Sequence, residues 1–237
     1  MAGHGKSRHL KRIAAPKALP LPKKTTVWFK KGKPGAHALA QSIPLLSLLR
    51  DMLKVAATKW EAKKIIAAGD VLVDQTHVSD EGCAVGLMDV VSIPKMKKFY
   101  RVAFKKGKIA LSEITEDEAK EKPCKIVSKT VVRGNKVQLN LHDGRNYLIE
   151  KEEDQFKAGD TIRMALPTQK LSGFMKLEKG AHCYIYKGKH SGKTGVLKEI
   201  VVFPYGTPSD AVLEDETGNK LITLKDYLFV VDKNFKA

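Results

Sequence analysis

The first fifty residues contain 11 Lys and Arg and no carboxylate; the first acid in the chain is Asp51. Five of the ten prolines fall in the same stretch, at positions 16, 20, 22, 34 and 44. Each proline removes a backbone donor and fixes φ, so no long helix or central strand can run through the segment. An extended basic strand of this kind cannot bury enough apolar surface to order itself, but it can fold along a groove lined with phosphates. Residues 1–42 therefore read as a basic arm. The whole chain of 237 residues carries a net charge of +17, and a charge clustered this strongly points to nucleic acid or another anionic surface. Trp28 and Phe29 break the polar pattern beside Lys30 and Lys31. They either anchor the arm on the protein's own body or stack on an unpaired base.

Several classes are disfavoured at once. No run approaches the roughly 18 uncharged apolar residues of a membrane helix, and the arm lacks the apolar face of an interfacial one. Positive charge at the N-terminus without an apolar run behind it is not a secretory signal. The cysteines, Cys83, Cys124 and Cys183, are odd in number and far apart, which gives neither a disulfide framework nor a CxxC zinc site. A reduced, cytoplasmic setting is expected, and the cysteines read as small buried residues rather than ligands.

Behind the arm three modules are expected, at 43–98, 99–172 and 173–237, in an α+β multidomain chain. Leu45, Leu46, Leu48, Leu49, Met52 and Leu53 fall at helical spacing. Thr58 and Glu61 form the T-x-x-E box that starts a second helix, Ala62, Ile65 and Ile66 give its apolar stripe, and Gly69 stops it. Lys59, Lys63 and Lys64 share the opposite face, which is either a solvated surface or a phosphate-binding one. From residue 99 to 170 short alternating stretches divided by turns predict a small barrel or sandwich, with a short acidic helix over Thr115–Lys120. Residues 177–231 repeat that grammar as a second, smaller five-strand barrel, with Gly218-Asn219 as a hairpin turn.

The chemistry-bearing motifs are weak. Gly188-Lys189-His190-Ser191-Gly192-Lys193-Thr194 has three residues between its glycines where a phosphate-binding P-loop needs four, and Gly195-Val196 favours a following strand over a helix. The seven histidines include no HExxH pair, so no metal or cofactor is expected. Asp143 and Glu150 read as ordinary surface carboxylates without an acid/base partner, so no catalytic residue is assigned. Binding, not catalysis, is the expected role.

Residues 45–94 resemble the S-four type of RNA-binding module, through Arg50-Asp51-x-Leu53, Ala57-Thr58-Lys59-x-Glu61-Ala62, Gly69-x-Val71-x-Val73 and Met88-Asp89-Val90-Val91. Residues 178–200 resemble a KOW module, through Gly180, Ile185, Gly188 and Gly192-Lys193-x-Gly195-Val196. The order of modules is similar to the eukaryotic/archaeal-type small-subunit ribosomal protein S-four family, in its archaeal form. The most specific stretch is His9-Leu10-Lys11-Arg12-Ile13-Ala14-Ala15-Pro16, joined by Trp28, Pro34-Gly35-x-His37, Gly86-Leu87-Met88-Asp89-Val90 and Gly173-Phe174-Met175-Lys176. The resemblance implies a central β-barrel-like domain, a C-terminal SH3-like KOW barrel, and a place in the 30S subunit among neighbouring proteins. No membrane, small-molecule substrate or homo-oligomer is implied.

It also implies ribosomal RNA contacts: Lys6, Arg8, His9, Lys11, Arg12, Lys17, Trp28, Lys30, Lys31, Lys33 and His37 in the arm; Arg50, Lys59, Lys63 and Lys64 on the helical module; and Lys187, Lys189, His190 and Lys193 on the KOW turn. Gly188, Gly192 and Gly195 would allow positive φ or close backbone approach there. Rival readings are a transiently bound RNA-binding translation or transcription factor, or a non-catalytic remnant of an RNA-modifying enzyme. Pseudouridine synthases carry Gly-Arg-Leu-Asp, whereas Gly144-Arg145 is followed here by Asn146-Tyr147. If the arm is the principal electrostatic contact, deleting residues 1–34 weakens RNA binding and flattens log K against log salt; an unchanged slope removes it from that role.

Overall fold

The arm already contains the first strand pairing. In the computed structural model, which describes residues 9–204, 206–215, 217–232 and 235 (Glu153 by its backbone only), β1 (Leu10–Lys11) runs antiparallel to β2 (Trp28–Phe29). Leu10 lies opposite Phe29 and Lys11 opposite Trp28. Partners across a ladder share a face, so the first pair turns inward and the second outward. Ala15, Leu19 and Phe29 are buried in the same core as the helices. From His9 on, the arm is thus laid on the body instead of standing extended. The cause is three apolar side chains spaced between prolines, helped by backbone bonds such as Ile109 N–H to the Ala18 carbonyl at 2.8 Å. Deleting 1–34 therefore also opens this core, and the charge-only changes Lys11→Gln and Lys17→Gln isolate the electrostatic part.

The leucine-rich helix forms as α1 (Leu45–Ser47) and continues as a π-helix over Leu48–Met52, with Leu53 N–H bonded to the Leu48 carbonyl at 3.0 Å. Leu45, Leu46, Leu48 and Leu49 are buried. α2 (Lys59–Ala67) starts at the Thr58–Glu61 box: Glu61 N–H donates to Thr58 Oγ1 at 3.2 Å and Thr58 N–H to Glu61 Oε2 at 3.3 Å. β3 (Ile43–Pro44) pairs with β6 (Ala84–Val85). The helices pack with a sheet ordered β5 (Thr76–His77), β4 (Leu72–Val73), β7 (Val90–Ile93), β8 (Lys98–Lys105), β9 (Lys108–Glu113). β8 runs unbroken through residues 98 and 99, where two modules were expected to meet, because Lys98–Arg101 pairs in register with β7.

A second five-stranded sheet holds β10 (Glu121–Val132), β11 (Lys136–Leu141), β12 (Asn146–Glu150), β13 (Thr161–Ala165) and β14 (Lys170–Met175), in the order β12-β11-β10-β13-β14. The acidic helix expected over Thr115–Lys120 shrinks to one 3-10 turn, Glu118–Lys120. Its capping bonds form, Thr115 N–H to Glu118 Oε2 at 3.1 Å and Glu118 N–H to Thr115 Oγ1 at 3.4 Å, but Glu121 is already extended as the start of β10. The third sheet comprises β15 (His182–Ile185), β16 (Thr194–Val201), β17 (Asp210–Glu214), β18 (Lys220–Leu224) and β19 (Leu228–Val230), ordered β18-β17-β16-β15-β19. The described residues are mostly β-strand with few helices. None of those helices is long and apolar enough to cross a membrane.

One buried ionic cluster joins these parts. Lys122, near the start of β10, is fully buried; its Nζ lies 2.7 Å from Asp74 Oδ2, 2.5 Å from Asp89 Oδ1 and 3.1 Å from Asp143 Oδ2. Arg145 Nη2 donates to Asp74 Oδ2 at 2.6 Å, and its Nε lies 3.3 Å from Asp143 Oδ2. Asp89 also accepts from Gly86 N–H at 2.8 Å and from His37 Nε2 at 2.9 Å. Asp143, expected as ordinary surface, is buried because its carboxylate faces these two cations. Burial by itself favours the uncharged forms. The Lys122 ammonium and His37 nevertheless hold the Asp89 carboxyl well below the usual range, and Asp89, Asp74 and Asp143 hold Lys122 well above its own.

Removing one member of a buried pair strands the others, at a cost of about 3–5 kcal/mol. Lys122→Met should therefore lower the urea midpoint by an amount corresponding to that range, and adding Asp89→Asn should restore part of it. A Lys122→Met chain as stable as the parent would show that the cluster contributes no net stability.

Candidate nucleic-acid interface

Of the arm cations, Lys6 and Arg8 lie outside the described residues. His9, Lys11 and Lys17 are exposed, and the His9 ring sits 5.6 Å from that of Trp28, which is 58% exposed. The alternation along β2 resolves the choice left open for the aromatic pair: Phe29 anchors the arm, and Trp28 faces solvent. Lys30 pairs with Glu81, and Lys33 Nζ lies 2.5 Å from Asp80 Oδ2; Lys31 between them is half-buried.

On α2, Lys59, Lys63 and Lys64 are exposed and form no ion pair with a described residue. The Lys30 bond, backed against burial by the charges of Lys30, Lys59 and Lys63, holds the Glu81 carboxyl below its usual range. Arm and helix cations thus converge around one carboxylate. Trp60, 71% exposed between Lys59 and Glu61, belongs to the same face. Sequence reasoning passed over it, although its position off the Ala62–Ile66 stripe already placed it outside the core.

The KOW-like turn is positioned by its glycines. Gly188 and Gly192 have φ of +87° and +94°, and a Cβ on Gly192 would stand 2.9 Å from Lys105 Cα. Gly195 lies in strand, where a Cβ would meet the Glu214 carbonyl oxygen at 2.8 Å. The close approach at Gly192 seats the turn on the β8–β9 hairpin, with Lys106 N–H donating to the Ser191 carbonyl at 2.9 Å. Tyr184 fastens the same junction, accepting from Phe104 N–H at 2.7 Å and donating to the Phe104 carbonyl. Exposed Lys187, Lys189 and Lys193 therefore share a side with Lys105, Lys106 and Lys108, two basic turns that are far apart in sequence. Lys187 also lies over the Tyr227 ring, Lys193 is 3.7 Å from Asp215, and His190 is half-buried. β16 follows the loop, so no helix N-terminus opens behind it.

Three expected contacts are turned toward the protein. Arg12 is 4% exposed; its guanidinium stands over the Phe29 ring and donates from Nη1 to the Pro22 carbonyl at 3.2 Å. The His37 side chain is 6% exposed on Asp89, and a Cβ on Gly86 would come within 2.3 Å of its ring. Arg50 is half-buried and grips Asp51 through two bonds of 3.0 and 2.9 Å.

Cys124, His142 and Asp143 bring potential metal-ligand atoms within 4.8 Å of one another. Both His142 nitrogens are already engaged, Nδ1 accepting from Lys125 N–H at 3.2 Å and Nε2 donating to the Leu87 carbonyl at 3.1 Å. Burial, aided by Lys122, brings that imidazole down to about 4; burial and the Asp143 charge push the Cys124 thiol well up, and Asp143 itself faces Lys122. The three groups are spent on hydrogen bonds and ion pairs.

Residues 96–171 match the Ribosomal family S4e, and residues 4–40 match the RS4NT (NUC023) domain. The chain is 41% identical over 235 residues to the small ribosomal subunit protein eS4 of Methanothermobacter thermautotrophicus, covering 99% of this chain and 96% of that protein. Against eS4 of Methanocaldococcus jannaschii it is 45% identical over 239 residues, 98% of this chain and 96% of the other. The crystal structure of the 30S ribosomal protein S4e from Thermoplasma acidophilum is similar in shape, with a TM-score of 0.70 and 33% identity over 82% of this chain and 96% of that one. The chain belongs to the archaeal S4e family. Two of the residues that carried the S4e resemblance, His37 and Asp89, turn out to meet inside the protein.

An exposed indole among lysines can stack on an unpaired base, a contact worth about 1–3 kcal/mol. Trp60→Ala is expected to weaken binding of a single-stranded RNA by roughly 5- to 150-fold while leaving the salt slope unchanged, with Trp60→Phe in between. Equal affinities for all three chains would exclude stacking at this position.

Proposed function

We infer that this chain is a structural constituent of the small ribosomal subunit that binds the subunit's ribosomal RNA and supports assembly and translation. The observation that carries this reading is identity of 41–45% to small ribosomal subunit proteins over essentially the whole length of both partners. The charge distribution supports it independently: 11 cations precede the first carboxylate. RNA is held mainly by phosphate neutralisation and shape, with sequence reading secondary.

The contact surface comprises His9, Lys11, Lys17, Trp28, Lys31, Lys59, Lys63 and Lys64 on one side, and the paired turns at 105–108 and 187–193 on another. Arg12, His37 and Arg50 act chiefly by fixing the arm and helices in place, since their nearest partners belong to the protein. The finer architecture is a basic arm at 1–42, an S-four-type module whose sheet extends through Glu113, a central β-domain whose last strand, β14, carries the expected boundary at 172–173 on to Met175, and an SH3-like KOW barrel after it. The protein is cytoplasmic, works beside other small-subunit proteins, and has no catalytic role. The non-catalytic reading is supported by Asp74, Asp89 and Asp143, whose carboxylates are committed to Lys122 and Arg145.

Sedimentation separates this reading from a transient factor. The protein should co-migrate with small subunits and stay with them through a high-salt wash. Quantitative release by the wash, with RNA binding intact, would favour the factor.

A further inference from the structure

Arg12 is an incomplete ion site. The residue is 4% exposed; among the described residues its guanidinium hydrogen-bonds only to the Pro22 carbonyl, and Nε is buried without a partner. No carboxylate of a described residue forms an ion pair with it. Burying a charge is tolerated when a counter-charge or a full set of hydrogen bonds accompanies it, and among the described residues neither does here.

Arg12 lines an open cleft of about 590 Å³ between the arm and the end of the π-helix, together with Thr25, Thr26, Arg50, Asp51 and Lys54. The one acid there is already chelated by Arg50 through bonds of 3.0 and 2.9 Å. Lys54 is exposed, makes no ion pair with a described residue, and is held at φ +53° just past the helix end. The lining therefore keeps two cations without an ion-pair partner among the described residues, while the Thr25 and Thr26 hydroxyls are turned to the Pro22 and Trp28 carbonyls. Its complement is a compact anion rich in acceptors.

We propose that this cleft is a seat for one phosphate group, gripped by Arg12 and Lys54, and that a backbone phosphate of the ribosomal RNA fills it. The RNA half of this inference rests on the RNA-binding reading above; the phosphate half does not. The planar guanidinium offers a fork to two phosphate oxygens, and Lys54 supplies a point charge from the opposite wall. The seat would pin the arm against the helical module as the RNA is bound.

The test uses the full-length protein. Arginine Nε–H resonances are followed while inorganic phosphate replaces chloride at constant ionic strength. A saturable shift of Arg12 is expected, abolished by Lys54→Gln and absent at exposed Arg133. No shift, or the same shift at Arg133, overturns the seat. In parallel, small-subunit ribosomal RNA is bound to the parent chain and to Lys54→Gln across a range of salt. The slope should fall by roughly 0.7–0.9, one phosphate contact. Arg12→Gln should produce a similar fall; because Arg12 also supports the arm, Lys54→Gln decides the outcome. An Arg12 shift with an unchanged RNA slope in Lys54→Gln would overturn the RNA half alone. Failure of the parent chain to bind the RNA at all would instead refute the functional reading.

Discussion

A single buried ammonium, that of Lys122, sets the relation between the arm, the helical module and the central sheet. Its three carboxylates come from the β4–β5 turn, the residue preceding β7 and the residues following β11, so satisfying it requires all three segments at once. His37 ties the arm to the same cluster through Asp89, and Arg145 closes it from the central domain. An apolar contact tolerates sliding; a desolvated charge does not, because each displaced partner leaves a group unpaired. Ionic clusters of this kind are weak sources of net stability and better suited to fixing geometry. Here the geometry fixed is that of several basic surface elements with respect to one another.

The same cluster changes where the charge acts. Asp74, Asp89 and Asp143 are withdrawn from the surface and matched internally, while Asp80 and Glu81 are taken up by Lys33 and Lys30. Lys59, Lys63 and Lys64 face outward without such partners among the described residues. The field felt by an approaching polyanion is therefore shaped by the placement of acids as much as by the number of lysines.

Local features were legible in the sequence wherever their cause is local. The Thr58–Glu61 box, the strands of the two later sheets other than β14 and the hairpin turn at 218–219 all come from bonds or periodicities within a few residues. The helix expected over Thr115–Lys120 stays a single turn although its capping bonds form, since a cap cannot extend a helix into residues that a neighbouring strand recruits. The cluster was not legible: positions 37, 74, 89, 122 and 143 share no spacing, and only the tertiary fold brings them together. Nor was the inward turn of Arg12 beside outward Lys11, because a two-residue strand has no period to read. Trp60 was missed for a different reason. Its exposure was visible in the helical stripe, but no spacing marks a lone exposed indole as a binding residue.

The ordering of the arm bears on how tightly a charged segment can bind. A disordered arm gains electrostatic attraction and then loses much of it to the entropy of being fixed along the RNA. Ala15, Leu19 and Phe29 meet part of that cost within the protein's own core, before any RNA arrives. What remains on the outer face, Lys11, Lys17, Trp28 and the half-buried Lys31, is then presented on a backbone already bent into place. The number of phosphates contacted sets the salt dependence, whereas pre-ordering raises affinity at every salt concentration alike. Apolar residues hidden under a basic arm thus act on binding through a quantity that counting charges cannot detect.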